Sequence, residues 1–304
     1  MNHQKRGILV TGSHRSGTTW VGRMLSLPDN VVYIFEPFSL EVSTKVIPYS
    51  FQHWFPYIHD LPDSEAFYRA MDQAIHFKYV PPPAPDLPTH RALKSVVKGH
   101  LKNALYRSRG HLPLLKDPLA LFSAKDLATR YDLDVVCMIR HPLAFCSSLK
   151  KWDWKFPFQH LLNQSRLIEH RFQHQAERIE HFATTEQPIV HQAALLWNLF
   201  HHVIRAYQQE HPDWHYHRHE DMVVDPVETF ESLYQKLGLG FTPHIRGQLN
   251  ASLSAKSGET SDAGFKARNA KSVTQTWKSR LNDDEINHIL DETAELRAHF
   301  YPEG

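Results

Sequence analysis

GILVTGSHRSGTTW, residues 7–20, decides how the chain is read. GILVT is a continuous apolar run ending at a glycine, the pattern of a short buried strand. Gly12 and Gly17 then bracket four residues as G-x-x-x-x-G, the spacing of a phosphate-binding loop. TTWVGRMLSL follows as a helix stopped by Pro28. A strand-to-helix turn of this kind presents backbone N–H groups to an anion at a helix N-terminus. The hydroxyls of Ser16, Thr18 and Thr19 add donors, and Arg15 adds a planar, permanently charged fork. Thr18 stands where an ATPase or GTPase places the lysine that reaches a γ-phosphate. The bland alternative is a glycine-rich turn that merely connects strand to helix.

Outward from this stretch, strands and helices alternate. NVVYIFEP (30–37) reads as a second strand ended by Glu36-Pro37, and LPLLKDP (112–118) as a third. DLDVVCMIRHP (132–142) is the most strand-like run and ends in Arg140; Pro142 suits the first position of the next helix. LALFSAKDLATRY is an amphipathic helix, and VHQAALLWNLFHHVIRAYQQ (190–209) is a long one with apolar residues three and four apart. WHYHRHEDMVV reads as a strand and turn, and Asp225-Pro226 opens a helix ending at Gly238. Residues 240–276 read as a polar loop, after which Asn282 and Glu285 form a capping box for the last helix. The pattern predicts an α/β protein with a P-loop NTPase-like three-layer fold, a mainly parallel central sheet and helices on both faces. No repeat or boundary divides the chain, so residues 1–304 are read as one domain. Its acceptor-binding insertions are placed at about 38–90, which includes the stiff PPPAPDLP segment (81–88), and at 151–188.

A net charge of +1 argues against a general nucleic-acid binder, so any anion site must be a local concentration of cations. Cys137 and Cys146 lie in apolar surroundings, which points to a reducing compartment rather than a disulfide framework. No run approaches the length of a membrane span and no apolar leader opens the chain, so a soluble cytoplasmic protein is expected. Most of the 23 histidines are read as solvated surface. His215, His217 and His219 alternate and would share one face of a strand, where they could bind a metal. The plainer reading is a wet or partly buried strand edge, and no metal is expected.

A nucleotide kinase needs the missing lysine, and usually an acidic strand end to hold Mg²⁺. Here the best neighbouring strand ends in a cation, Arg140. Side-chain cations thus replace the metal, and the expected nucleotide is anionic at two places, near the loop and near Arg140.

On these residues the chain resembles the sulfotransferases that use 3′-phosphoadenosine 5′-phosphosulfate (PAPS). GSHRSGTTW is similar to their 5′-phosphosulfate loop. RHPLAFCSS is similar to their 3′-phosphate element, with Arg140, Pro142 and Ser148 in place and Ser148 two helical turns beyond Arg140. LLKDPLAL, with Lys116, resembles the KDP element of the tyrosylprotein and related enzymes. HEDMVVDP resembles the family's YEDL-x-x-DP, and KSVTQTWKSRL its C-terminal closing segment. The matches run from residue 8 to about 281. The histidine that phenol and steroid sulfotransferases carry two residues after a lysine is absent, because Lys116 is followed by Asp117-Pro118. The R-S-G-T form instead looks like the Golgi carbohydrate and tyrosylprotein enzymes. Glu36, 21 residues after Arg15 in IFEP, is close to the FEP of carbohydrate sulfotransferases. Those enzymes carry a membrane anchor not seen here, so a free-standing bacterial relative is expected.

The resemblance implies transfer of a sulfuryl group from PAPS to an acceptor hydroxyl, leaving adenosine 3′,5′-bisphosphate, with no metal required. It implies Glu36 as general base, and Arg15 and Lys116 as stabilisers of charge on the leaving phosphate oxygen. Glu36 as a structural turn anchor is the alternative. The cofactor site would comprise Ser13, His14, Arg15, Ser16, Gly17, Thr18, Thr19, Arg140 and Ser148, completed by Arg268, Lys271 and Ser272 in the polar late segment. Trp20 would stack on the adenine, or else belong to the core. For the acceptor, KKWDWKF sets Trp152 and Trp154 among lysines, which suits a sugar or a phenol. A carbohydrate is the expected acceptor; a phenol, tyrosine or other small alcohol is the alternative. Outside this class stand a P-loop nucleotide kinase and a catalytically silent nucleotide-binding module. The oligomeric state is not legible.

Overall fold

The computed structural model describes residues 6–84, 87–254 and 276–303. Five strands form one sheet: β1 (Gly7–Gly12), β2 (Val31–Phe35), β3 (Leu112–Lys116), β4 (Leu133–Ile139) and β5 (His215–Arg218). Their order is β2-β3-β1-β4-β5 and every pairing is parallel. Val10 and Phe35 both pair with Lys116, Gly12 pairs with Met138, and Ile139 pairs with Arg218, so the carboxyl ends of all five strands share one edge. The chain leaves β1 for the outer β2, returns to β3, then passes β1 to reach β4. That reversal is the switch point where open α/β sheets bind ligands.

Fourteen α-helices accompany the sheet among the described residues. Those of the first half are α1 (Thr18–Leu25), α2 (Ser64–Ile75), α3 (Thr89–Ser108), α4 (Ala124–Tyr131), α5 (Pro142–Lys151), α6 (Gln159–Leu162) and α7 (Ser165–Arg171). The rest are α8 (Ala176–Thr184), α9 (Ile189–Glu210), α10 (His219–Val224), α11 (Pro226–Lys236), α12 (Pro243–Ser254), α13 (Asp283–Glu292) and α14 (Ala294–Phe300).

The pleat sends alternate residues to opposite faces, and each face has its own core. Ile8, Val10, Leu114, Val136 and Met138 pack with Trp20 and Val21 of α1 and Phe230 and Leu233 of α11. Leu9, Leu115, Val135, Cys137 and Ile139 pack on the other side with Phe145 of α5 and Leu196 and Phe200 of α9. This is the expected three-layer arrangement, with the sheet wholly parallel. Cys137 and Cys146 are buried free thiols, and burial pushes both thiols up.

The local signals work as chemistry demands. Pro142 occupies the first position of α5. Asp225 caps α11 by accepting from the Glu228 N–H, and the Asn282–Glu285 capping box opens α13. Three readings are corrected. The start of LALFSAKDLATRY is a 3₁₀ turn, Pro118–Ser123, and only its second half is α-helical. Residues 243–254, expected as loop, form α12. Residues 89–108, nearly all of them outside the segments read from the sequence, form the long α3. His219 does not continue the β5 face with His215 and His217, because the strand ends at Arg218 and His219 opens α10. No helix among the described residues is long and apolar enough to cross a membrane.

Candidate active site

The loop between β1 and α1 sits at the switch point. Gly12 has φ 124°, and a Cβ there would lie 2.1 Å from the Met138 carbonyl oxygen, so only glycine lets the chain leave β1 so close to β4. The Ser13 N–H donates to that carbonyl at 3.2 Å. Ser16 Oγ donates to the Ser13 carbonyl, which curls the loop on itself. Gly17 has φ 89°, and a Cβ there would meet His219 Nδ1 at 2.5 Å. No side chain caps α1 and its first turn has no acidic residue, so the helix offers its own first-turn N–H groups and positive dipole end to an anion.

Beside the loop lies a cationic cluster. Arg15 is held at φ 62° and its Nε donates to Ser148 Oγ at 3.0 Å. Arg140 Nη1 donates to the Arg15 carbonyl, while Arg140 Nε is buried with no partner. The Arg140 carbonyl in turn accepts from Trp197 Nε1 at 2.8 Å, which fixes the end of β4 to α9. Burial pulls the Arg140 guanidinium down to about 10, and Arg15 adds to this while Glu220 opposes it. Glu220 is itself held, accepting from the His141 N–H at 3.1 Å and from the Tyr301 hydroxyl at 2.8 Å. A buried guanidinium donor without a partner, next to an uncapped helix N-terminus, fits the two phosphates of an adenosine bisphosphate.

A second cluster lies on the other side of β1. Lys116 Nζ is ion-paired with Glu36 Oε1 and lies 4.6 Å from the Phe35 ring centre. The lysine is 1 % exposed and Glu36 is at a positive φ of 45°. The Glu36 N–H donates to the Lys116 carbonyl at 2.9 Å, one rung beyond the last β2–β3 pair. Asp117 fixes the same corner from below, with Oδ2 accepting from the Phe38 N–H at 2.6 Å and Oδ1 from the Leu119 N–H at 2.9 Å. Burial raises the Asp117 carboxyl to about 7, against the lowering effect of the Phe38 hydrogen bond.

The structure therefore brings Arg15, Ser148 and Arg140 together, and separately Glu36 with Lys116. Thr18 is buried and Thr19 half-buried in the first turn of α1; Ser13 and Ser16 are buried within the loop. Two proposed contacts look different in space. His14 points away from the loop mouth into a cage of Phe55, Phe145, Trp154 and Phe200 rings, 4.5–5.5 Å away. Desolvation there, helped by Arg15, lowers its pKa to about 3. Trp20 is 3 % exposed and packs edge-on against Phe230 at 5.2 Å, in the core position that the sequence left as its alternative. Arg268, Lys271 and Ser272 lie outside the described residues.

Sequence reasoning missed Gly22, Trp197 and Glu220. Gly22 is buried on α1, where a Cβ would lie 2.9 Å from both Lys116 Cγ and Tyr33 Cε2; a glycine inside a helical pattern was the available signal. His201 is buried, against the reading of most histidines as surface; His219 is buried too, and desolvation lowers both to about 3. Among the described residues no three His, Cys, Asp or Glu side chains come together as metal ligands. Of the aromatic pair in the 151–188 stretch, Trp154 is half-buried against His14, whereas Trp152 is 63 % exposed with the Arg15 guanidinium 5.8 Å from its ring centre.

The model of the sulfotransferase family matches residues 7–243. No curated protein sequence matches the chain significantly. Among solved structures, the sulfotransferase domain from the curacin biosynthetic pathway is similar at a TM-score of 0.50 and 15 % identity, over 96 % of this chain and 99 % of that one. The sulfotransferase STF9 from Mycobacterium avium is similar at 0.47 and 14 %, over 98 % and 78 % of the two chains. The mouse sulfotransferase SULT7A1, solved in complex with PAP, is similar at 0.45 and 12 %, over 98 % and 86 %.

Proposed function

The chain belongs to the sulfotransferase family, and from that premise we propose that it sulfates a hydroxyl of a carbohydrate. It is a PAPS-dependent sulfotransferase, and a nucleotide kinase is not favoured. PAPS, when bound, supplies the sulfuryl group and leaves as adenosine 3′,5′-bisphosphate.

In this reading the loop N–H groups of residues 13–19, with the Thr18 and Thr19 hydroxyls, hold the 5′-phosphate end. Arg140 and Ser148 hold the 3′-phosphate. Arg15 and Lys116 face the negative charge that builds on the leaving oxygen, where fixed cations in a dry site are worth most. They make a divalent metal unnecessary. Glu36 accepts the proton of the acceptor hydroxyl. What supports this role is its place: the carboxylate stands on the ligand edge of the sheet, beside the lysine that would meet the developing charge.

The carbohydrate part of the proposal rests on one observation. Trp152 stands exposed beside Arg15, at the mouth of the cationic cluster. The negative face of an indole suits the C–H edge of a sugar ring, and Lys151, whose Nζ lies 5.3 Å from the Trp152 ring centre, suits an acidic one. The test is transfer of labelled sulfate from PAPS to a panel of oligosaccharides, phenols and tyrosine peptides. Transfer to oligosaccharides supports the reading, transfer confined to phenols or tyrosine replaces the acceptor, and no binding of adenosine bisphosphate overturns the site.

A further inference from the structure

α3 has no fully buried residue. It is held along one thin edge by Ala92, Val96, Gly99, Asn103 and Tyr106, all half-buried. Gly99 lies so close to Val80 that a Cβ would meet its Cγ1 at 2.7 Å, and Asn103 Nδ2 donates to the Tyr79 carbonyl at 2.8 Å. The opposite side carries Leu93, Val97, Leu101 and Leu105, exposed by 65, 49, 67 and 44 %. Four-residue steps set them in one stripe along the helix. Among the described residues seven large apolar side chains are exposed, and these are four of them. Such concentration marks a surface that something covers.

The charge pattern says what. Lys94, Lys98 and Lys102 each follow a stripe residue by one position, so a row of ammonium groups runs beside the apolar row. Arg91 and Arg107 bring the helix to five cations, and it contains no Asp or Glu, in a chain of net charge +1. Near the end of the helix Arg107 lines a cavity of about 520 Å³ with Arg6, Lys78, Arg130 and one carboxylate, Asp72. A second copy of α3 packed on this face would oppose lysine to lysine. We propose that α3 is a peripheral docking element that lies on an anionic lipid surface. Its apolar row enters the acyl boundary and its lysines snorkel to the headgroups. At about 30 Å, the helix is long enough for all four apolar side chains to engage one plane.

The experiment is co-sedimentation of the full chain with vesicles of phosphatidylcholine alone and of equal parts phosphatidylcholine and phosphatidylglycerol. Binding is expected on the anionic vesicles only, and should weaken as salt rises. Lys94→Gln/Lys98→Gln/Lys102→Gln should lower it by about tenfold or more. Leu93→Ser/Leu101→Ser should lower it by about the same factor. Because every substituted side chain is exposed, both variants should keep the wild-type Tm and affinity for adenosine bisphosphate. Absence of binding to anionic vesicles overturns the proposal, as does binding that neither variant weakens. So does a concentration-dependent dimer that the leucine variant dissolves, which would assign the face to a second copy.

Discussion

Lys116 and Glu36 pair across the carboxyl ends of neighbouring strands, and the pair is lopsided: the lysine side chain is 2 % exposed and the glutamate 22 %. The ammonium is sunk in the sheet edge while the carboxylate is partly exposed at the carboxyl ends of the strands. A pair built for stability alone would gain little there, because taking both charges out of water offsets most of their attraction. Glu36→Gln keeps the shape and removes the carboxylate. It should leave affinity for adenosine bisphosphate nearly unchanged and lower kcat by roughly 10²–10⁴-fold. A kcat close to wild type would make Glu36 a turn anchor.

Gly22 tests the lysine without touching its charge. Alanine in a helix interior ordinarily stabilises by about 1 kcal/mol over glycine. At this position the added Cβ meets the Lys116 stem and the Tyr33 ring, both at 2.9 Å. Gly22→Ala should therefore fail to raise the Tm and should displace the ammonium. A shift of about 1 Å in a positioned group costs up to roughly 10²-fold in rate. Circular dichroism melting and kcat/KM, measured together, check this; a more stable and fully active variant would remove Gly22 from any role in placing Lys116.

The loop, its strand and its helix were legible because glycine spacing and apolar runs are local signals, and the same holds for the ends of β2, β3 and β4. The side-chain directions were not. His14 looks like a loop ligand by position, yet Phe55, Phe145 and Phe200, far apart in sequence, close a cage around it. Trp20 goes to the core because α1 turns its Trp20–Val21–Leu25 face to the sheet. α3 escaped notice because its apolar residues are divided between a thin buried edge and an exposed row, which blurs the single period that marks an ordinary amphipathic helix.

The caged histidine has a pH consequence. His14 is lowered from 6.5 to about 3 by burial, so the folded state favours its neutral form. A depressed folded pKa contributes stability that is present above 6.5 and is lost as pH falls from there toward 3. The loss approaches about 1.4 kcal/mol per pH unit for the group. His201 and His219 act in the same direction. His14→Phe suits an aromatic cage and carries no proton. It should flatten the acid side of a Tm-versus-pH curve and leave affinity for adenosine bisphosphate unchanged. An unaltered acid limb would mean that His14 is not among the groups driving acid unfolding, and a lost affinity would return its side chain to the cofactor site.

Arg140 offers the clearest separation of a sulfotransferase nucleotide site from a metal-dependent one. Its Nη1 steadies the loop at the Arg15 carbonyl and its buried Nε has no partner. Loss of a charge-assisted hydrogen bond costs about 1.5–3 kcal/mol, or roughly 10- to 100-fold in affinity. Arg140→Ala should weaken adenosine 3′,5′-bisphosphate by that factor in calorimetry. Arg140→Lys, which keeps the charge but not the planar fork, should fall between alanine and wild type. The Trp197 bond to residue 140 uses the backbone carbonyl and survives both changes, so the end of β4 stays in place. Wild-type affinity should be the same in EDTA as in Mg²⁺, because the proposed site meets the phosphates with Arg15, Arg140 and Lys116. Equal affinity in Arg140→Ala would take this residue out of the site. Affinity that vanishes in EDTA, together with competition by ATP, would mean that the loop holds a metal–nucleotide complex instead.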